Sequence, residues 1–166
     1  MGVIFKNADI GDIPQIMQIE NECFPPNEAE TVQAVSARIA AAPELFIVAS
    51  DEDSGRIMGF INGISTNEAS FRDEFFTDTS LHDPDGCNVM VISLEVLPSC
   101  RNAGLGHMLI DKLLARARLY GKRQVVFICH EALIKKYERM GFKLRGISDS
   151  HWGGGSWFEM FGEVFK

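Results

Sequence analysis

The segment RNAGLG, Arg101 to Gly106, sets an arginine, an asparagine and two glycines directly before a run of helical periodicity. Main-chain N–H groups at a glycine-rich turn and at a helix N-terminus converge on the space in front of them, which makes that space an anion site. Gly104 and Gly106 let a ligand approach the backbone closely, and Arg101 adds a fixed positive charge. The chemistry is the holding of a pyrophosphate by a local nest of amides, whatever the charge of the rest of the chain. The turn lacks the lysine of a P-loop and the third glycine of a dinucleotide fingerprint, so alone it is equally a plain strand-to-helix turn. Tyr137, within ALIKKYERMGF, is the second residue of interest. It shares a helical face with Leu133 and Met140, and periodicity by itself makes it a core aromatic as readily as a reactive one.

Positioning these residues requires a strand, a helix and a second strand. NVMVISLEVLP (88–98) is the strongest strand, stopped by Pro98. The helix after it starts past Gly104 and runs to about Tyr120, burying Ile110, Leu113, Leu114 and Ala117, with Gly121 as its C-terminal cap. QVVFICH (124–130) is short and almost wholly apolar, as a buried central strand should be. The pair is expected to be parallel across that helix. Upstream, VIFKNA opens as a strand, Asp12 caps the helix PQIMQIENECF, and Pro25-Pro26 ends it. Residues 28–42 read as a second helix, and LFIVAS and IMGFINGIS as a hairpin. Residues 66–86 form a long polar loop with a short helix in it. ALIKKYERMGF is a fourth helix stopped by Gly141, and FKLRGIS and SWFEMFGEV are two last strands. The reading is mixed α/β, seven strands and four helices in the order β-αα-βββ-α-β-α-ββ, as one domain over residues 1–166.

Composition narrows the function. A chain of 166 residues buries a substantial core without staples. No apolar run reaches membrane-spanning length, and MGVIFKNADIGD lacks the pattern of a secretory signal, so a cytoplasmic location is expected. Cys23, Cys87, Cys100 and Cys129 show no CxxC pair and no metal-ligand spacing, so reduced thiols and no metal are expected. A net charge of −7 argues against nonspecific nucleic-acid binding and mildly favours a cationic small substrate.

RNAGLG resembles the R/Q-x-x-G-x-G/A signature of the GCN5-related N-acetyltransferases (GNAT), which use it to hold the pyrophosphate of acetyl-coenzyme A. The order of elements is similar to that family's, implying a mixed, mostly antiparallel seven-stranded sheet splayed between its fourth and fifth strands. PELFIVASDEDSGRIMGFINGI, ICHEALIKKYERMGF and SWFEM are similar to the arylalkylamine (serotonin) N-acetyltransferase branch, over roughly residues 20–160.

The resemblance implies roles residue by residue. The strand at Ile92 to Leu97 would carry a bulge, with the main chain of Leu94, Glu95 and Val96 pairing with pantetheine amides. Arg101, Asn102, Ala103, Gly104, Leu105, Gly106 and His107 would hold the pyrophosphate, and Ile128 and Cys129 would line the slot near the thioester. Tyr137 matches the family's acid tyrosine; its hydroxyl would protonate the departing thiolate, whose pKa is about 8.5. Phe24, Pro26 and Trp157, with Leu94 and Ile128, would form a flat apolar acceptor slot, although the same aromatics suit a core or the face of a homodimer. An alkylamine, with a pKa of about 10, must lose a proton before it attacks. The branch's two base histidines fall at Met90 and Ile92, which accept no proton; Glu22, His82, His130 and Glu131, or ordered water, are the replacements. The function so implied is acetyl-coenzyme A-dependent N-acetylation of a small primary amine of the arylalkylamine type. Polyamine, aminoglycoside or protein N-terminal acceptors, or a non-catalytic acyl-coenzyme A sensor, are the alternatives.

Overall fold

The computed structural model describes residues 2–165. One sheet of seven strands runs through it: β1 (Val3–Asn7), β2 (Phe46–Asp51), β3 (Ile57–Thr66), β4 (Asn88–Val96), β5 (Gln124–Cys129), β6 (Lys143–Ile147) and β7 (Phe158–Glu163). Their spatial order is β1-β2-β3-β4-β5-β7-β6, with β4 and β5 parallel and the other neighbours antiparallel. Four α-helices flank it: α1 (Ile13–Cys23), α2 (Val32–Ala41), α3 (Leu105–Leu119) and α4 (Ile134–Arg139). The expected element order, the β2–β3 hairpin and the parallel crossover through α3 are all present.

Two-residue alternation explains the layers. Phe46 and Val48 of β2 join Ile16, Ile19, Val35 and Ile39 of α1 and α2 in one apolar cluster. Their neighbours Ile47 and Ala49 turn the opposite way, into the cluster that holds Leu105, Leu109, Leu113 and Ala117 of α3. Every residue of β3 is buried, as a central strand covered on both faces must be.

The central event is at β4. Its ladder with β5 covers only Asn88, Val89 and Met90, opposite Gln124, Val125 and Val126, and stops there. On its other edge the pairing with β3 jumps from Gly63↔Val91 to Asn62↔Ser93, leaving Ile92 as an extra residue. That bulge kinks β4 away from β5. Gly63 permits it, since a Cβ there would lie 2.6 Å from the Met90 carbonyl oxygen.

Three local expectations are corrected. The second helix begins at Val32 rather than residue 28, with Thr31 Oγ1 accepting from the Ala34 N–H at 3.1 Å. Residues 25–31 instead form a turn, closed by Glu28 and Ala29 N–H bonds to the Pro25 carbonyl. Asp12 does not cap α1; its carboxylate accepts from Asp9 N–H and Lys6 Nζ in the 3-10 turn before it. The stretch after β3 contains two 3-10 turns, Asp73–Phe76 and Thr79–Leu81, pinned by the buried rings of Phe71, Phe75 and Phe76.

Candidate active site

Divergence of β4 and β5 opens a cleft of about 970 Å³, its mouth included. One wall comes from β5 and α4, the opposite wall from β4, α1 and the turn after α1. Beyond the cleft β4 runs on into the RNAGLG turn. Asn102 (φ 67°) and Gly104 (φ 79°) both take left-handed conformations there, which for Asn is an uncommon state. No side chain caps α3, and a Cβ at Gly104 would meet nothing within 4 Å. The N–H groups opening α3 thus face free space, as an anion nest requires. Asn102, Ala103 and His107 are exposed beside it, while Leu105 is buried beneath.

Arg101 is placed differently from expectation. It folds back so that Nε donates to the Val96 carbonyl at 3.2 Å and a terminal nitrogen reaches Cys23 Sγ at 3.3 Å, locking the end of β4 to the end of α1. Glu95 is corrected too. The Leu97 N–H bonds the Met58 carbonyl on β3, so by alternation Glu95 also turns its main chain to β3. Leu94 and Val96 turn theirs toward the open side. The side chain of Glu95 is instead buried against Glu20 of α1. Burial, then the facing Glu20 carboxyl, holds Glu95 protonated well above the ordinary carboxylate range, and burial first raises Glu20 as well.

On the β5 side, Ile128 and Cys129 line the cleft and Tyr137 joins them from α4. The Tyr137 ring packs edge-on against Phe127, centroids 4.8 Å apart. Burial, with a smaller contribution from the charge of Cys129, pushes its phenol to about 12. Burial alone pushes the Cys129 thiol to about 11. Both groups therefore stay protonated at neutral pH.

At the acceptor end, Phe24 and Trp157 line the cleft as expected, but Pro26 does not. The turn at residues 25–28 leaves Pro26 in solvent and brings Glu28 to the wall in its place. Of the four replacement bases only His130 reaches the cleft. Glu22 sits on the exposed face of α1, bonded by Gln18. His82 is buried elsewhere, its Nδ1 accepting from the Ser65 N–H and its Nε2 3.1 Å from Glu44. Glu131 is exposed. Met90 is wholly buried, and Ile92 lines the cleft at the bulge.

Several residues of this end were not singled out from sequence. Trp152 stacks on Phe76 at 4.3 Å, and both line the cleft. Glu30 is gripped by the fully buried Arg38 at 2.6 and 3.0 Å and accepts from Ser93 Oγ at 2.9 Å. Arg38 spends its remaining contacts on Asn62 and the Phe76 carbonyl, tying α2, β3 and the loop after β3 together behind the cleft. Their only sequence signal is the presence of charge within apolar periodicity. Among the described residues the four cysteines are unpaired, no group of three or more His, Cys, Asp or Glu could hold a metal ion, and no helix is long and apolar enough to cross a membrane.

Comparison with known proteins bears on this geometry. Residues 13–142 match the model of the acetyltransferase (GNAT) family. Over 131 residues the chain is 25% identical to the "Probable hydrolase YhcX" of Bacillus subtilis (strain 168), covering 75% of this chain but 25% of that protein. The chain thus spans about a quarter of the length of that curated relative. The loading GNATL domain of CurA from Lyngbya majuscula superposes with a TM-score of 0.84 at 17% identity, covering 99% of this chain and 98% of that one. The yncA protein of Salmonella typhimurium, solved with its cofactor acetyl-CoA, superposes with a TM-score of 0.70 at 20% identity, covering 100% and 96%.

Proposed function

The chain belongs to the acetyltransferase (GNAT) family, and from that premise we propose that it is an acetyl-coenzyme A-dependent N-acetyltransferase acting on a small primary amine of the arylalkylamine class. The observation that carries this reading is the parting of β4 from β5 into a cleft with Tyr137 on its wall, on a strand that continues to an uncapped helix N-terminus. The pyrophosphate would sit on the N–H groups of residues 103–107, where Gly104 and Gly106 keep the main chain bare. The outward main chain of Leu94 and the N–H of Val96, whose carbonyl is held by Arg101, would take the pantetheine amides, ladder bonds that β5 leaves unmade. The coenzyme supplies the thioester carbonyl. As the acetyl group passes to the amine nitrogen, the departing sulfur would keep the bonding electron pair and take a proton from Tyr137 Oη, and the N–H proton that the nitrogen sheds as the amide forms would restore the phenol.

The acceptor class follows from the other end. Phe24, Phe76, Trp152 and Trp157 offer flat apolar faces, and the Glu28 carboxylate shares the same wall. A cationic amine on an aromatic body fits both features. The test is steady-state thiol release with acetyl-coenzyme A and a panel of amines. Phenylethylamine and tryptamine should exceed spermidine in kcat/KM. A panel led by spermidine would overturn the acceptor class, and no amine-dependent release would overturn the acetyltransferase.

A further inference from the structure

The residues around His130 form a closed circuit. His130, at the end of β5, has Nε2 3.3 Å from Glu28 Oε1. Its ring stacks on Trp157, centroids 4.0 Å apart and planes 23° apart. Trp157 Nε1 donates to the Trp152 carbonyl at 2.9 Å, and Trp152 Nε1 donates to the Glu28 carbonyl at 2.8 Å, which returns to the start. Asn27 Nδ2 clamps the same loop through the Gly153 carbonyl at 2.8 Å. The Trp157 face sets the plane of the imidazole, and the Glu28 carboxylate beside Nε2 favours the tautomer that carries its proton there. With the proton on Nε2 facing Glu28, Nδ1 is left as a bare acceptor.

Resting on the acetyltransferase reading, we propose that His130, positioned by Glu28, is the base that deprotonates the acceptor ammonium. The N–H bond of the ammonium breaks, its proton passes to Nδ1, and the nitrogen keeps the lone pair with which it attacks. The resulting imidazolium is stabilised by the Glu28 carboxylate. With 48% of its side chain exposed, His130 returns the proton to water between turnovers. The other titratable groups of the cleft are engaged otherwise. Cys129 and Tyr137 share its wall and stay neutral. Glu30 is neutralised by Arg38 and Ser93, and Glu20 faces Glu95. Trp157, which covers the ring, carries no charge.

The experiment compares the wild-type chain with His130→Gln and Glu28→Gln over pH 6 to 10, using phenylethylamine and its β,β-difluoro analogue, a much weaker base. With phenylethylamine, wild-type kcat/KM should fall less steeply toward low pH than that of His130→Gln. His130→Gln should lose about 10²-fold near pH 7, and the loss should narrow as pH approaches the amine's own pKa. Glu28→Gln should lose less and shift the acidic limb. A substantial fraction of the difluoro amine is neutral at pH 7 and enters without giving up a proton, so its deficit in His130→Gln should be at least tenfold smaller. That amine also reports whether the variant is folded. Equal losses with both amines, or a deficit in His130→Gln that stays constant from pH 6 to 10, would overturn the base while leaving the acetyltransferase standing. Failure of wild type to acetylate either amine would overturn both.

Discussion

Replacing Tyr137 by Phe removes one oxygen and keeps the ring that packs on Phe127. The consequence can be worked from the cleft wall. A free phenol, at about 10, is a weaker acid than a free thiol, at about 8.5, so passing its proton to a thiolate runs uphill by about 1.5 units. In this wall the phenol stands at about 12. The one native thiol beside it, Cys129, gauges what burial does to a sulfur here, and it stands at about 11. A coenzyme sulfur leaving into the same surroundings would be raised likewise, so the gap stays at about 1.5 units, or about 2 kcal/mol. The transfer is therefore accessible, and a hydrogen bond to the sulfur as it gains charge contributes about 1.5–3 kcal/mol before it completes. Losing both should lower kcat by about 10²–10³-fold, with the acetyl-coenzyme A dissociation constant nearly unchanged. Thiol release measures the first and calorimetric titration the second. Because a phenol at about 12 keeps its proton throughout the assay range, wild type should show no alkaline fall from Tyr137 up to pH 10. The variant's profile should be lower but of the same shape. A variant that keeps most of its kcat would mean that water protonates the sulfur and that Tyr137 serves packing alone.

Two further outcomes follow from the cleft. Gly106 lies in the first turn of α3, and a Cβ there would meet only Val96 Cγ2, at 3.9 Å. Gly106→Val should leave the fold intact by circular dichroism yet raise the acetyl-coenzyme A dissociation constant at least tenfold, about 1.4 kcal/mol; unaltered affinity would refute the pyrophosphate site. Glu95, buried against Glu20, keeps a proton that the unfolded chain releases near its ordinary pKa of about 4.3. A raised native pKa adds stability below that value and loses it as pH rises, at up to about 1.4 kcal/mol per pH unit for one proton. Glu95→Gln should flatten the slope between pH 5 and 8 in chemical denaturation, and parallel slopes would refute the buried proton.

What was legible in the sequence follows the range of the interactions. α3 declares itself because its buried residues recur at helical spacing, and β5 because an almost unbroken apolar run has few other uses. The RNAGLG turn was legible for the same reason: two glycines, a turn and a helix start are all local. Even there one long-range contact escaped, since nothing in the turn announces that Arg101 folds back onto Cys23 and Val96. Arg38 shows the opposite limit. It lies between Val35 and Ile39 on a short helix, and periodicity reads such a residue as a solvated flank. Its guanidinium is fully buried because Glu30, Asn62 and the Phe76 carbonyl, from three other elements, converge on it. Pro26 and Glu28 exchanged places for a related reason: the turn that closes on the Pro25 carbonyl decides which of them faces the cleft.

The two proton-handling residues proposed here sit in opposite solvent environments, and the reaction needs that asymmetry. The acid must still hold its proton when the sulfur departs, so a phenol raised by its surroundings is suitable, and Tyr137, half-buried against Phe127, is raised in that way. The base must release its proton to water before the next turnover, so it cannot be buried. His130 is half exposed at the mouth, stacked on Trp157 with Glu28 beside Nε2. Exchanging the environments would stall both steps: a solvated phenol would compete with water for the leaving sulfur, and a buried imidazolium would have no exit for its charge. β5 achieves the difference within two residues, since the strand carries Cys129 into the Tyr137 wall and ends with His130 in solvent. The position at which β5 stops, rather than any motif within it, would set the proposed acid and base apart.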